Sequence, residues 1–263
     1  MKKIITITIF LNYIFSMTGI DLAILVDNRP VPEDIKSINT MTIINKKGRG
    51  KSLELITKSK DNSKRQMIWF LSPPDDKGMS FLKIEHDGKD DLMKMWLPGF
   101  KKLRRISSTK KSDSFMGSDL SFEDLTSRNI NSYLYKLISD DSECEYKKNS
   151  VTCYELESIP NIDSEYSKHI TWVIELDGVY LAIKEHSFDK KGNLLKTKSI
   201  EFEKLDIIST STKLSERYYV MNKFDIQNIQ KNTSTSLNVN NIEINLGIQD
   251  SDFNEMNLKR LPK

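Results

Sequence analysis

From residue 39 onward, apolar and polar residues alternate in short runs separated by Gly, Asn, Asp and Pro, the period-two signature of half-buried β-strands. Residues 39–44 are rich in β-branched side chains, 45–50 read as a turn, and 52–57 place Leu53 and Leu55 on one side, which predicts a first hairpin. Asp61-Asn62-Ser63 turns the chain into residues 66–71. There Met67, Trp69 and Leu71 share one face while Ile68 and Phe70 share the other, so both faces of that strand are apolar. A polar, proline-bearing stop at 72–78 follows, and residues 80–86 pair with 92–97 across Asp87-Gly88.

The period then lapses. Residues 96–125 mix basic, hydroxyl and apolar groups after Pro98-Gly99 and read as an irregular insertion, a length of connection that usually means a cover or a binding loop. A short helix is expected over 121–127, where Glu123 and Asp124 favour its first turn. Alternation resumes at 133–139 and again over 168–176 and 179–188, joined by Asp177-Gly178, the strongest hairpin signal in the chain. Further strands are expected at 194–205, 218–224 and 235–245, and Asp250-Ser251-Asp252 caps a final short helix carrying Phe253, Met256 and Leu258 toward the sheet. About ten such strands mean a mainly β protein, either one large curved antiparallel sheet or a sandwich.

Composition places this domain in an exported compartment. Met1-Lys2-Lys3 precedes an apolar run that is interrupted by Asn12 and is shorter than the roughly 20 residues of a membrane span, so residues 1–23 read as a signal peptide, cut near Gly19 or Ala23. Residues 24–263 then form a single soluble domain, with no cysteine near the cut to carry a lipid. With 40 basic and 37 acidic residues interleaved, there is no charge excess for nucleic acid. The one concentrated basic cluster is Lys101-Lys102-Leu103-Arg104-Arg105. Cys144 and Cys153 flank an expected hairpin with Lys148-Asn149 at its tip, where they would face each other and form a disulfide worth about 2.7 kcal/mol.

Catalytic patterns are missing. His86, His169 and His186 lie far apart and match no metal-ligand or nucleophile spacing, and Glu123-Asp124 reads as a helix N-terminus before it reads as an acid–base pair. No cofactor and no metal are expected.

The run Trp69-Phe70-Leu71-Ser72-Pro73-Pro74, Lys77-Gly78, Trp96-Leu97-Pro98, Arg104-Arg105-Ile106, Phe115-Met116-Gly117-Ser118-Asp119 and Glu123-Asp124-Leu125 resembles the outer-membrane lipoprotein-sorting protein family, relatives of LolA and LolB. The resemblance implies an incomplete antiparallel β-barrel whose concave apolar face is covered by short helices and a loop. A covering N-terminal helix would begin within residues 22–26, although Arg29-Pro30-Val31-Pro32 interrupts it. It implies a non-enzymatic, monomeric periplasmic carrier that takes acyl chains of lipoproteins or other lipids toward the outer membrane, between an inner-membrane transporter and an outer-membrane acceptor.

Expected lining residues are Met41, Ile43, Leu53, Leu55, Met67, Trp69, Leu71, Phe81, Met93 and Met95, methionines suiting varied chains. Trp96, Pro98, Phe115 and Met116 would belong to the cover with Gly117 as its hinge, and Arg104 and Arg105 would meet a head group or partner. Two alternatives remain: an accessory subunit docking on an inner-membrane lipid transporter of the resistance-nodulation-division type, and a hydrolase of envelope lipids, which would need a nucleophile and base inside the cavity.

Overall fold

The computed structural model describes residues 16–86, 88–208 and 215–262. Most of the expected signal peptide lies outside them. Helix α1 (Gly19–Asp27) is followed by strands β1 (Asp34–Ile44), β2 (Gly50–Lys60), β3 (Arg65–Ser72), β4 (Ser80–Ile84), β5 (Leu92–Leu97) and β6 (Lys102–Ile106). After a long connection come β7 (Tyr133–Tyr146), β8 (Asn149–Pro160), β9 (Lys168–Leu176), β10 (Val179–Phe188), β11 (Leu194–Ile208), β12 (Ser215–Asn228), β13 (Thr233–Ile244) and the one-turn helix α2 (Glu255–Leu258).

Among the described residues these strands form one 13-stranded sheet in the order β6-β5-β4-β3-β2-β1-β13-β12-β11-β10-β9-β8-β7. Every neighbouring pair is antiparallel, as meander connections dictate. The first half walks from β1 to the edge strand β6, and the second starts at the opposite edge with β7 and walks back until β13 meets β1. The β6–β7 connection therefore has to traverse the sheet. Its first part differs from the irregular run expected there: Lys102–Ile106 adds an edge strand, with Arg104 opposite Met95 and Ile106 opposite Met93.

Curvature follows from packing. A single apolar cluster draws Ile106 from β6, Met93 and Met95 from β5, Phe81, Ile68, Phe70, Leu53, Leu55 and Met41 from the strands between, and Phe224 and Ile226 from β12. β6 and β12 are seven strands apart. A flat sheet would separate them by about 34 Å at about 4.8 Å per strand, so the sheet curls around this cluster as an unclosed barrel.

The opposite face of β3–β5 is covered separately. Met67, Trp69 and Leu82 pack there on Ile248, Phe253 and Leu258 of the C-terminal segment, and Trp69 Nε1 donates to Asn257 O at 3.1 Å. Phe253 and Leu258 thus meet the sheet as expected, whereas Met256 is 74% exposed.

Two local expectations are corrected. At the cysteine hairpin the tip is Lys147-Lys148, both with positive φ (49° and 65°), the geometry of a two-residue type I′ turn. The turn therefore moves by one residue and every pairing by two: Cys144 lies opposite Val151 and Cys153 opposite Ser142. The disulfide forms diagonally across the ladder, with Cα atoms 6.0 Å apart.

At the N-terminus, α1 starts earlier than residue 22 because Thr18 and Asp21 form a capping box. It packs Leu22 and Ala23 on Leu156 and Val173, and Gly19 lies so close that a Cβ would fall 2.7 Å from Leu137 N. A boundary at residue 23 would divide this helix. No described helix is long and apolar enough to cross a membrane.

Candidate functional site

The concave face has an apolar end and a polar end, and residues 107–132 lie across both. At the apolar end Phe115, Leu120 and Phe122 complete the cluster formed by the strands, with Ile43, Met79, Leu97, Met116, Leu125 and Leu237 packed around it. The Phe115 ring stands 5.3 Å from Phe81, 5.8 Å from Phe122 and 6.1 Å from Phe70, distances and tilts typical of favourable aromatic contacts. Phe115 is 2% exposed.

The local fold of this segment explains its independence from the sheet. Its backbone hydrogen bonds close on itself: Phe115 N to Leu120 O, Ser118 N to Phe115 O, Phe122 N to Asp113 O and Glu123 N to Lys111 O. Met116 and Gly117 turn the tip in the left-handed region (φ 54° and 77°). The expected helix over 121–127 is only a 3₁₀ turn, Glu123–Leu125, preceded by Ser121, whose hydroxyl accepts from Asp124 N while Asp124 accepts from Ser121 N. Attachment to the strands is by side chains: Asp119 takes the Thr233 and Thr235 hydroxyls, and Lys83 Nζ donates to Leu125 O.

The polar end is assembled on β9, β10 and β11. Lys196 and Lys198 alternate along β11 on the face that carries Ile200 and Phe202, and the register sets Lys198 opposite Glu185 and Ile226. Asp124 reaches down between the two lysines, with Lys198 Nζ at 2.7 Å from one oxygen and Lys196 Nζ at 2.9 Å from the other. The Tyr166 hydroxyl donates to the same carboxylate at 2.9 Å. Lys198 also meets Glu185 at 3.0 Å, and Arg128 forks onto Glu185 while touching His169 Nδ1 at 3.2 Å. α1 lies further along this face, since Leu156 pairs with Thr171 and Thr171 with Glu185.

Burial sets the electrostatics here. It favours the neutral form of Asp124, but Lys198 and Lys196 outweigh it and hold the carboxyl well below the ordinary carboxylate range. Glu185 is lowered in the same way, against burial, by Arg128 and Lys198. Burial pulls Lys198 down, yet Asp124 and Glu185 together keep it above its ordinary value. His169 is pushed down to about 4, first by burial and then by Arg128. With Glu165 3.8 Å from Lys196, three carboxylates face the three cations Lys196, Lys198 and Arg128, and the histidine is neutral.

A cavity of about 1230 Å³ opens beside it, lined among others by Asp124, Arg128, Tyr133, Tyr166, His169 and Lys198. Its walls are polar. The apolar end holds Phe115, Leu120 and Phe122.

Of the expected lining residues, the structure brings Met41, Ile43, Leu53, Leu55, Phe81, Met93 and Met95 together on the concave face. Met67 and Trp69 face the C-terminal helix, because β3 is apolar on both sides and its alternation cannot say which side is concave. Leu71 sits at a β-bulge between the pairs Glu54–Ser72 and Leu55–Phe70. Trp96 packs with Met67 and Trp69, Pro98 starts a 3₁₀ turn, and Arg104 and Arg105 are exposed on β6.

Sequence reasoning missed Ile68, Phe70, Phe122, Phe224 and Ile226 at the apolar end, and Lys196, Lys198, Glu185 and Tyr166 at the polar end. A signal existed for the lysines. In Lys196-Thr197-Lys198-Ser199-Ile200-Glu201-Phe202 they share the parity of Ile200 and Phe202.

An unclosed antiparallel barrel with its concave face covered by an N-terminal helix and a long edge-to-edge connection defines the LolA-like class. A putative outer membrane lipoprotein-sorting protein domain from Vibrio parahaemolyticus superimposes with a TM-score of 0.76 at 26% identity, covering 92% of this chain and 98% of that one. A DUF1329 family protein from Desulfovibrio piger gives 0.75 at 26% identity, over 91% and 97%. A LolA superfamily protein from Nitrosomonas europaea shares the fold, with a TM-score of 0.65 at 15% identity over 92% and 100%. No curated protein matches the chain. The profile of a family described as "Uncharacterized protein"-like matches residues 62–260, and the chain belongs to that family and has the LolA-like fold.

Proposed function

We propose that the protein is a periplasmic carrier whose cargo's acyl chains take the place of Phe115, Leu120 and Phe122 on the concave face. The observation that carries this reading is the attachment of residues 107–126: they fill the apolar concavity built by Met41, Leu53, Phe81 and Phe224, yet their backbone-to-backbone hydrogen bonds run within the segment, and side chains or single side-chain-to-backbone bonds hold it to the strands. Displacing such a segment breaks side-chain contacts and leaves every strand pairing intact. Each CH₂ moved from water into the exposed groove contributes about 0.8 kcal/mol, so acyl chains are suited to drive the exchange. No bond is made or broken in this cycle. Residues 24–263 act as one domain, with α1 extending it to Thr18.

Native mass spectrometry of protein purified gently from the periplasm, followed by lipid extraction, tests the proposal. A bound acylated species, or uptake of offered phospholipid or lipopeptide, is expected. A clean apo mass with no uptake would overturn it.

One observation favours docking to a membrane transporter in addition. Phe100 is 79% exposed beside Lys101, Lys102, Arg104 and Arg105 at the β5–β6 edge, an apolar and basic rim of the kind that meets a partner or acidic head groups. Reversing charge at Arg104 and Arg105 should then impair cargo delivery while leaving lipid uptake by the isolated protein unchanged.

A further inference from the structure

The covering segment carries its own pattern: Phe115, Leu120 and Phe122 lie over the apolar end, and Asp124, two residues beyond Phe122, lies over Lys196 and Lys198. The surface beneath repeats it. Ile200 packs on the apolar cluster, and Lys198 is two residues away on the same face of β11, about 7 Å along the strand. We propose that Lys196 and Lys198, with the Tyr166 hydroxyl, form a binding site for the acidic head of an amphiphile, a phosphate or carboxylate borne next to its acyl chains. Asp124 is the built-in occupant of that site. This rests on the carrier reading and adds the class of cargo.

Three features support it. The donors that grip Asp124 from outside the covering segment all belong to the frame: Lys196 and Lys198 are on β11, and Tyr166 in the β8–β9 connection is held by Lys196 Nζ at 2.7 Å. They stay when the segment leaves. Lys196 and Lys198 are 2% and 8% exposed, and a buried ammonium stripped of its partner is costly, so lifting Asp124 without an anionic replacement is opposed. Glu185 is shared between Lys198 and Arg128, and Glu165 stands 3.8 Å from Lys196, so with Asp124 lifted three cations face two frame carboxylates and the place of one anion is left to fill. Finally, the polar cavity of about 1230 Å³ adjoins Asp124, Tyr166 and Lys198, giving a path by which whatever extends from the head reaches solvent. An acid next to acyl chains fits the surface; a neutral glyceride satisfies only its apolar end.

The test uses the full mature chain and a matched pair of ligands, dioctanoyl phosphatidic acid and dioctanoylglycerol, titrated by native mass spectrometry or by displacement of a fluorescent fatty acid. The phosphatidic acid is expected to bind at least about tenfold tighter, as a charge-assisted site predicts. In Asp124→Asn/Lys196→Met/Lys198→Met, which removes the charges together, that preference should fall to about one while dioctanoylglycerol still binds.

Inorganic phosphate alone, even in millimolar excess, should displace neither lipid; displacement by it would mean a free-anion site and overturn the proposal. Equal binding of the two lipids by the wild-type protein would overturn it while leaving the carrier reading in place. Binding of neither would instead overturn the carrier reading. A preference that survives in the triple variant would remove it from these lysines. The wild-type comparison decides the matter by itself where the triple variant does not fold.

Discussion

Replacing Phe115 by Ala separates the covering segment from the sheet energetically. The ring is 2% exposed and touches Phe70, Phe81 and Phe122, so truncation removes a fully buried aromatic side chain. Such changes cost about 3 to 5 kcal/mol when the site cannot collapse. The lower end applies here, because Phe122 and Leu120 remain and can settle toward the space. The crucial point is what opens. If residues 107–126 open as their own unit, the loss of about 3 kcal/mol raises the opened population about 100-fold; the closed state is raised equally against the unfolded chain, and what marks the segment as separate is that it opens at a lower free energy and exposes less surface than the whole barrel.

Native-state hydrogen exchange reads both quantities in one experiment. Protection of the Phe115, Ser118 and Phe122 amides, whose acceptors are Leu120 O, Phe115 O and Asp113 O, should drop by that factor. Amides in the β1–β2 ladder, such as those around the Met41–Leu53 pair, should start from higher protection and exchange with a steep dependence on urea, whereas those of the segment should depend on urea only weakly. Acyl-ligand affinity should rise by up to the same factor, since the closed segment reduces the competent fraction. Equal protection and equal urea dependence of the segment and the β1–β2 amides would refute the argument, because the segment would then be part of one cooperative core and could not be exchanged for cargo.

Stability should fall as pH drops through the range of His169. Its folded value, about 4, lies below the ordinary 6.5, so the unfolded chain binds the proton first; the stabilisation is full above pH 6.5 and is lost on descending toward 4, about 3 kcal/mol in all. Glu185, Arg128, Ser187, Tyr133, Tyr166 and Lys198 surround the ring, so the slope between pH 6.5 and 5 in urea titrations should shrink sharply in His169→Gln, leaving the contribution of His186, which burial also lowers, and the opposite one of Glu165, which burial raises. Gly19→Val would press side-chain atoms into the Lys136–Leu137 backbone, and should lower Tm by the equivalent of about 2 kcal/mol and expose α1 to protease; an unchanged melt would mean α1 does not rest there. Trp69→Phe loses the bond to Asn257 O on the far face, and should cost about 1 kcal/mol in urea unfolding without altering lipid uptake; reduced uptake at unchanged stability would place Trp69 at the cargo site after all.

The strands were legible because their alternation is strong: the 179–188 pairing across Asp177-Gly178 forms with Leu176 opposite Val179, as a two-residue turn requires. What was hidden depends on long-range geometry. Met67 and Trp69 carry the same alternation as Ile68 and Phe70, and only the placement of a helix nearly two hundred residues later decides which pair faces the concavity. The slip at Lys147-Lys148 was hidden because lysines are not a turn signal, although both adopt positive φ. Lys196 and Lys198 looked like solvated surface, the ordinary fate of lysine. Their partners Asp124 and Glu185 come from different parts of the chain, and Asp124 is supplied by a segment whose lack of period revealed only that it was not a strand.

The topology explains why the cover is a competitor for the groove. With β6 at one edge of the sheet and β7 at the other, the chain must pay out a connection across the face between them. A curled sheet that presents Met41, Leu53, Phe81 and Met93 to water would be an aggregation hazard, and the connection that must pass there anyway closes it. A permanently open groove would have the further defect of holding diacyl chains too tightly to release, at about 0.8 kcal/mol per CH₂. A segment that carries both an apolar stretch and an acid returns to the same surface as cargo leaves, so closure favours release by as much as it disfavours capture. The balance between Phe115 and Asp124 on one side and the cargo on the other sets the affinity, and it can be moved in either direction by substitutions that leave the barrel untouched.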